Sequence, residues 1–243
     1  MAVMRGWWAG AALLLGSGCL AQEISFNMGP AGYPPYMILP SQGLPARGIM
    51  LDVLQRASGE LGLSVTPRQF PRKRVNLALA AHDLDVTPRA MEWEPKASQY
   101  AFTQPVLMLG DVLFCHTRQP QNLADLHGLI LGTKLGYAYP ELASGFLDGE
   151  FTRQDAKTEL AMLRKVLAHR TDCAVVNQAV GQWLIRANPP LASLHMADVG
   201  LPKVGFRFMF RQEDAPQVQA LDRVLGQLAQ SGELQRIIGR YLP

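Results

Sequence analysis

The sequence predicts an α/β fold, because segments that alternate like strands are followed by segments with helical periodicity along most of the chain. The order of these segments favours sheets with largely parallel pairing. Hydrophobic residues make up 48% of the 243 residues and charged residues 18%. This composition is too apolar for a disordered chain and lacks the bias of collagen or a coiled coil. The length allows one large domain or two lobes of roughly 100 residues each.

The first 21 residues have the layout of a secretory signal. One positive charge within residues 1–5 precedes an uncharged, largely apolar stretch over 6–18, and small side chains at Cys19 and Ala21 fit cleavage before Gln22. The apolar stretch is shorter than the roughly 20 residues that span a bilayer, and no later segment is long and apolar enough. We therefore expect an exported, periplasmic protein that is not membrane-embedded. Lipid attachment at Cys19 is the alternative, although the usual Leu lies one position too early.

The first half of the remaining chain predicts strands that alternate with helices. Apolar residues at helical spacing between Met50 and Leu61 define a helix over 49–63. A second helix begins at Pro71, because proline is favoured in the first helical turn, and runs to about residue 81. Strands are predicted where β-favouring residues alternate or cluster, over 24–28, 65–69, 84–87 and 106–116.

The second half continues the same alternation. Strands are predicted over 129–132, 173–176 and 205–210, where short apolar runs are bounded by turn residues. Helical spacing of Leu, Ile and Val predicts a short turn over 123–126 and helices over 158–169, 178–186, 218–228 and 234–241.

Cysteine content and charge exclude several classes. Three cysteines are too few for a disulfide scaffold. Export permits a disulfide between Cys115 and Cys173, but two buried thiols packed as small hydrophobic side chains are the favoured interpretation. The five histidines show no metal-ligand spacing and no phosphate-binding loop is present, so neither a metal nor another cofactor is indicated. A net charge of +3 does not indicate a nucleic-acid partner.

Eight short motifs, each weak alone, occur in an order and spacing that resemble those of the family 3 periplasmic solute-binding proteins, the polar amino-acid receptors of ABC transporters. They are Tyr33-Pro34-Pro35-Tyr36, Gly48-Ile49-Met50-Leu51-Asp52, Leu61-Gly62-Leu63, Asp83-Leu84-Asp85-Val86, Ala101-Phe102-Thr103-Gln104-Pro105, the segment 125–132, Arg170-Thr171-Asp172-Cys173-Ala174 and the segment 231–241. The resemblance extends over nearly the whole chain after the signal.

This resemblance implies a type II periplasmic-binding-protein fold, in which two α/β lobes are joined by two hinge strands and the ligand lies in the cleft between them. Residues 22–109 and 205–243 would form the first lobe and 110–204 the second. Hinge closure would bury the ligand and create a shape that an ABC transporter permease or a membrane sensor can recognise. The protein would act as a monomer.

In the first lobe the resemblance indicates five ligand-binding residues. Tyr33 and Tyr36 belong to the opening loop, where the family places an aromatic side chain over the ligand; a proline-braced surface turn is the alternative. Thr87 ends the third predicted strand and offers a hydroxyl. Arg89 can hold a carboxylate or phosphate through a bidentate fork, or it lies on the lobe surface. Trp93 either walls the cleft or packs beneath its loop.

Three further candidates and two departures from the family pattern, at Asn177 and Lys96, complete the predicted site. Arg74 lies in the first turn of the helix predicted from Pro71, where it would complement an anion or belong to a solvated basic face. Tyr137 follows a glycine-containing loop that receives a ligand carboxylate in the family. Asn177 stands where amino-acid receptors usually carry the Asp that pairs with the ligand ammonium, and Lys96 replaces their carboxylate-binding Arg. Both differences argue against an ordinary α-amino acid as the ligand. Arg74, Arg89 and Lys96 together favour an anionic or carboxylate-bearing solute, such as an organic acid or an acidic peptide fragment.

Two other functions stay open at this point. Cyclohexadienyl dehydratases resemble these receptors, and such an enzyme would need a general acid in the cleft, for which Glu92 and Glu141 are the nearest candidates. An exported interaction protein that has lost ligand binding would carry the same fold with an occluded cleft. We favour a binding protein without catalytic activity, because no catalytic motif is present.

Overall fold

A computed structural model describes residues 22–242. The predicted signal over 1–21, including the alternative lipid site at Cys19, lies outside the described residues. In the part of the chain that is described, no helix combines the length and the apolar character needed to cross a membrane.

The described chain forms eleven strands and seven α-helices, joined in places by short 3₁₀ turns. The strands are β1 (Gln22–Asn27), β2 (Leu63–Arg68), β3 (Thr87–Ala90), β4 (Tyr100–Phe102), β5 (Leu107–Leu109), β6 (Asp111–Cys115), β7 (Ile130–Lys134), β8 (Thr152–Ala156), β9 (Cys173–Asn177), β10 (His195–Ala197) and β11 (Val204–Arg211). The helices are α1 (Ile49–Gly59), α2 (Val75–Ala80), α3 (Ala143–Asp148), α4 (Glu159–Leu167), α5 (Gln178–Ala187), α6 (Ala215–Gln230) and α7 (Glu233–Gly239).

The first lobe is built around β11 and the parallel pair β1–β2. β11 pairs antiparallel with β3, β4 and β5. Its phenylalanines are buried, and Phe208 meets Phe26 of β1 edge-to-face at 6.3 Å between ring centroids. α1 adds its apolar stripe to this core through Ile49, Met50, Leu51, Val53, Leu54 and Ala57. Burial of these side chains from both strands and helix is the main stabilisation of the lobe.

The second lobe is a five-stranded sheet in the order β10-β6-β9-β7-β8. β7 runs parallel to β8 and β9, whereas β6 runs antiparallel to β9 and β10. The expectation of largely parallel pairing is therefore wrong, because most strand pairs in the two lobes are antiparallel. The sequence alternation shows that strands and helices follow one another, but it does not show the direction in which a strand enters its sheet.

Several predicted elements differ from the observed ones. The strand expected over 106–116 is divided at Gly110 into β5 of the first lobe and β6 of the second, so this single apolar run crosses between the lobes. The strand expected over 84–87 lies over Thr87–Ala90 and includes a proline at the sheet edge. The helix expected from Pro71 begins as a 3₁₀ turn over Arg72–Arg74 and becomes α-helical only at Val75.

Cys115 and Cys173 form a disulfide, so the interpretation as two packed thiols is wrong. The two residues lie directly opposite each other in the antiparallel β6–β9 ladder, with their Cα atoms 4.2 Å apart. A cross-strand separation of this kind brings the sulfurs within bonding reach. The sequence shows that both cysteines lie in strands, but it does not give the register that makes them neighbours.

Candidate functional site

A cavity of about 340 Å³ lies between the two lobes. Its walls come from the β1, β3 and β11 side of the first lobe and from the loops after β7 and β8 of the second. The lining is mainly apolar and aromatic, with a few polar groups, as is usual for a small-molecule site. The polar and charged lining side chains are Asn27, Arg72, Lys73, Thr87, Arg89, Lys134 and Lys157, and no Asp or Glu of the described chain is among them.

The Tyr33–Tyr36 loop closes one end of this cavity. Backbone hydrogen bonds join Tyr33 and Met37 in both directions, at 2.7 and 3.0 Å, and form a tight turn. The rings of Tyr33 and Tyr36 stack with centroids 5.5 Å apart. Gly48 packs directly beneath, since a Cβ there would lie 2.6 Å from the carbonyl oxygen of Tyr36. Tyr33 lines the cavity, whereas Tyr36 is buried behind it and meets Phe206 edge-to-face.

Tyr36 and Asn177 link the two lobes. The Tyr36 hydroxyl donates a hydrogen bond of 2.9 Å to Oδ1 of Asn177, and both side chains are only 2% exposed. The same Oδ1 accepts from the backbone N–H of Val180 and so caps α5. Nδ2 of Asn177 donates to the carbonyl oxygen of Gly110, at the crossing between the lobes. Asn177 is therefore committed to structural hydrogen bonds and is not among the cavity-lining residues.

Arg89 is the most buried of the cationic side chains that line the cavity. Its side chain is 6% exposed, and Nη1 lies 3.3 Å from Oε2 of Glu94, which is 3% exposed. Nη2 donates to Oδ1 of Asn76 at 3.4 Å, while Nη1 makes no geometrically acceptable hydrogen bond. Glu94 also attracts Arg72, whose Nη1 lies 3.9 Å away. Two guanidinium groups thus share one carboxylate, so positive charge exceeds negative charge in this cluster beside the cavity.

Lysines supply the rest of the positive charge. Lys134 at the end of β7 forms a salt bridge of 2.5 Å with Glu159 at the start of α4. Lys157 and Lys73 are exposed and make no salt bridge within residues 22–242. Lys73 reaches from the first lobe to the second, because a Cβ on Gly136 would lie 3.7 Å from its Cε. Positive side chains from both lobes therefore surround one cavity.

Tyr137 and Asp111 add titratable groups in this region. Burial raises the pKa of Tyr137 to about 12, and Glu159 adds to the rise while Arg72 opposes it. Burial, with Glu141 and Glu159 nearby, raises the pKa of Asp111 to about 7. Asp111 begins β6 opposite Asn177, and in the described part of the chain it forms no salt bridge or side-chain hydrogen bond. Burial also raises the pKa of Tyr33 well above its ordinary value.

The structure brings five of the eight predicted ligand-binding residues to the cavity wall: Tyr33, Thr87, Arg89, Trp93 and Tyr137. Tyr36 and Asn177 lie behind the wall as the interlobe link. Arg74 is exposed at the end of its 3₁₀ turn and does not line the cavity, and neither does Lys96.

Four lining cations were not predicted from the sequence. Arg72 and Lys73 replace Arg74, because the 3₁₀ turn directs the start of the basic run to the cavity. Lys134 ends β7, directly before the loop that carries Tyr137, so the glycine-containing motif over 132–137 was an available signal for it. Lys157 follows β8, a strand that the sequence pattern does not predict, and no sequence signal singles it out. Among residues 22–242, no group of three or more metal-ligating side chains is present.

Comparison with known proteins identifies the family. The family model of bacterial extracellular solute-binding proteins, family 3, matches residues 27–243. Similar solved structures include an ancestral arginine-binding protein bound to arginine, at 16% identity and TM-score 0.78, covering 91% of this chain and 98% of that one. A substrate-binding protein of an ABC uptake transporter from Streptococcus pneumoniae with bound histidine has 17% identity and TM-score 0.76, covering 90% and 92%.

A histidine kinase sensor domain with similarity to periplasmic binding proteins has 22% identity and TM-score 0.77, covering 92% of this chain and 96% of that one. These likenesses establish the two-lobed type II periplasmic-binding-protein fold. No curated protein sequence matches the chain significantly. The match of the family model to nearly the whole chain shows that this protein belongs to the family 3 bacterial extracellular solute-binding proteins.

Proposed function

We propose that the protein is an exported periplasmic receptor that captures a small carboxylate-bearing solute by hinge closure and presents it to an ABC importer or a membrane sensor. The observation that carries this proposal is the interlobe cavity, which five cationic side chains and no acidic side chain of the described residues line. A solute that fills such a cavity must offset the positive charge, since unpaired charges removed from water are costly.

Arg89 supports a direct contact with a carboxylate. Arg89 lines the cavity, and its guanidinium group is held in place by Glu94, whose Oε2 lies 3.3 Å from Nη1, and by Asn76, which accepts a hydrogen bond from Nη2. A carboxylate in the cavity would meet a guanidinium group that is already oriented, so a charge-assisted hydrogen bond to Arg89 would cost little entropy. Thr87 lies on the same wall and is held by a hydrogen bond from Nδ2 of Asn27 at 3.3 Å.

The receptor proposal includes the way the chain is divided. We assign residues 22–109 with 205–243 to one lobe and 110–204 to the other, with the hinge at Gly110 and before β11. The leader over 1–21 would direct export, with cleavage after Ala21, and the receptor would act as a monomer. The Tyr36–Asn177 hydrogen bond supports a closed arrangement as the ligand-holding one, because it joins the lobes next to the hinge.

We favour binding over catalysis. Neither Glu92 nor Glu141, the candidate general acids, is among the residues that line the cavity. A general acid must come within hydrogen-bond reach of the reacting group, and no carboxyl group of the lining residues provides this.

Thermal unfolding of the purified protein with a solute panel tests the proposal. The panel holds amino acids, polyamines, monocarboxylates, di- and tricarboxylates and short acidic peptides. A carboxylate present at about 100 times its dissociation constant should stabilise the protein by roughly 2.7 kcal/mol. Polyamines should have no effect, because the cavity repels cations. Stabilisation by polyamines, or by no carboxylate of the panel, would contradict the proposed ligand class.

A further inference from the structure

The positive side chains of the cavity divide between the lobes. Arg72, Lys73 and Arg89 come from the first lobe, whereas Lys134 ends β7 and Lys157 follows β8 in the second. Closure of the cleft therefore brings two groups of like charge together around a volume of about 340 Å³.

Two of these cations remain without a carboxylate partner, one in each lobe. Glu94 forms salt bridges with Arg89 and Arg72, and Glu159 forms one with Lys134. Within residues 22–242, Lys73 and Lys157 form no salt bridge, although both line the cavity.

Closure without a solute has an electrostatic cost. Lys73 lies against the backbone at Gly136 of the second lobe, so its ammonium stays near the mouth when the lobes are together. Like charges held near one another repel, and the repulsion is stronger at a protein surface than in bulk water because the effective dielectric constant is lower. An anion placed between the two groups converts this repulsion into attraction.

We propose that the solute is a dianion that bridges the lobes, with one anionic group held by Arg89 and Lys73 and the other by Lys157. This inference rests on the proposed receptor function and specifies its ligand class. The body of the solute would be apolar and unbranched or aromatic, because Tyr33, Tyr137 and most other residues that line the cavity are apolar or aromatic. A monoanion would leave one lobe uncompensated, so it would bind more weakly and close the cleft less completely.

Matched ligand pairs that differ by one charge test this inference. Titration calorimetry would compare glutarate with its monoamide and isophthalate with its monoamide, because each pair has nearly the same shape. We expect the dicarboxylate of at least one pair to bind tenfold or more tighter than its monoamide at low ionic strength. The difference should shrink as salt is added, because salt screens the exposed lysines.

Two variants test whether Lys157 binds the second anionic group. Lys157→Met should reduce the preference for the dicarboxylate from tenfold to less than threefold while the monoamide binds as before. Arg223→Met serves as the control, since Arg223 is exposed on α6, lies outside the cavity and carries the same charge. This control should keep the tenfold preference.

The outcomes separate the inference from the proposed function. Equal binding of a dicarboxylate and its monoamide would overturn the bridging dianion and leave carboxylate capture intact. Binding of zwitterionic amino acids alone, with no diacid bound, would also overturn it. A preference that Lys157→Met does not reduce would overturn the assignment to the second lobe. If neither partner of any pair binds and monocarboxylates such as benzoate also fail, both the inference and the proposed function are wrong.

Discussion

Asp111→Asn should stabilise the protein at neutral and alkaline pH and have little effect in acid. Asp111 begins β6 at the crossing between the lobes, where burial raises the pKa of its carboxyl from the ordinary 3.8 to about 7. A raised pKa means that the folded protein holds the proton more tightly than the unfolded chain does. The stability of the wild type is therefore greatest below pH 3.8 with respect to this group and falls as the pH rises towards 7.

The size of the effect follows from the same two pKa values. At 1.36 kcal/mol for each pH unit, the interval from 3.8 to about 7 corresponds to about 4 kcal/mol of lost stability above neutral pH. This is an upper bound, because Asp111 is only partly buried and water already reaches the residue. Asparagine has nearly the same shape and no charge, so the variant should regain most of it. For a protein of this size the upper bound corresponds to roughly 8–16 °C in Tm.

Thermal unfolding of wild type and Asp111→Asn between pH 4 and 8.5 measures this directly. The difference in Tm should be near zero at pH 4 and grow to a plateau above pH 7. Asp148→Asn is a matched control, because Asp148 is exposed and its substitution removes the same charge. A difference that does not vary with pH, or a lower Tm of Asp111→Asn at pH 8, would refute the burial argument.

Three further predictions concern contacts of the two lobes. Removing the disulfide by Cys115→Ala with Cys173→Ala should lower stability by about 4 kcal/mol, since the bridge closes a loop of 58 residues; an unchanged denaturation midpoint would contradict this. Tyr36→Phe should cost about 1 kcal/mol and increase the radius of gyration of the unliganded protein, because a buried hydrogen bond between the lobes is lost; small-angle scattering measures the opening. Arg89→Met alone should destabilise, though by less than the roughly 3–5 kcal/mol of a fully unpaired buried charge, because Arg72 stays 3.9 Å from buried Glu94. Arg89→Met with Glu94→Gln should fold more stably than Arg89→Met yet bind carboxylates poorly, and carboxylate binding like that of the wild type by this double variant would argue against Arg89 as a ligand contact.

Sequence patterns predict the fold well and the site only partly. The order of motifs from Tyr33 to Tyr241 is enough to indicate the family, which the family model over 27–243 confirms. The sequence-based predictions are wrong where a feature depends on which strands pair and in which register. The disulfide depends on the β6–β9 register, and the division of one apolar run at Gly110 depends on which lobe each half joins. Neither property is encoded in local periodicity.

Sequence patterns also do not show which charged side chains line the cavity. A basic run before α2 predicts positive charge at the cleft, but a 3₁₀ turn places Arg72 and Lys73 on the cavity wall instead of Arg74. Lys157 reaches the cavity only through the position of β8 in its sheet, which depends on long-range packing. Asn177 is predicted as a ligand contact from its place at the end of a strand. In the structure its side chain is hydrogen-bonded to Tyr36, Val180 and Gly110.

The Asn177 side chain makes three structural hydrogen bonds, and these restrict which substitutions the receptor can tolerate there. A substitution there would change the capping of α5, the backbone at the crossing and the contact with the other lobe at once. Lys73 and Lys157 make fewer structural interactions, because both are exposed and neither forms a salt bridge within residues 22–242. New solute preferences are therefore more accessible by mutation at the mouth of the cleft than at its base, where a single change affects folding, motion and recognition together.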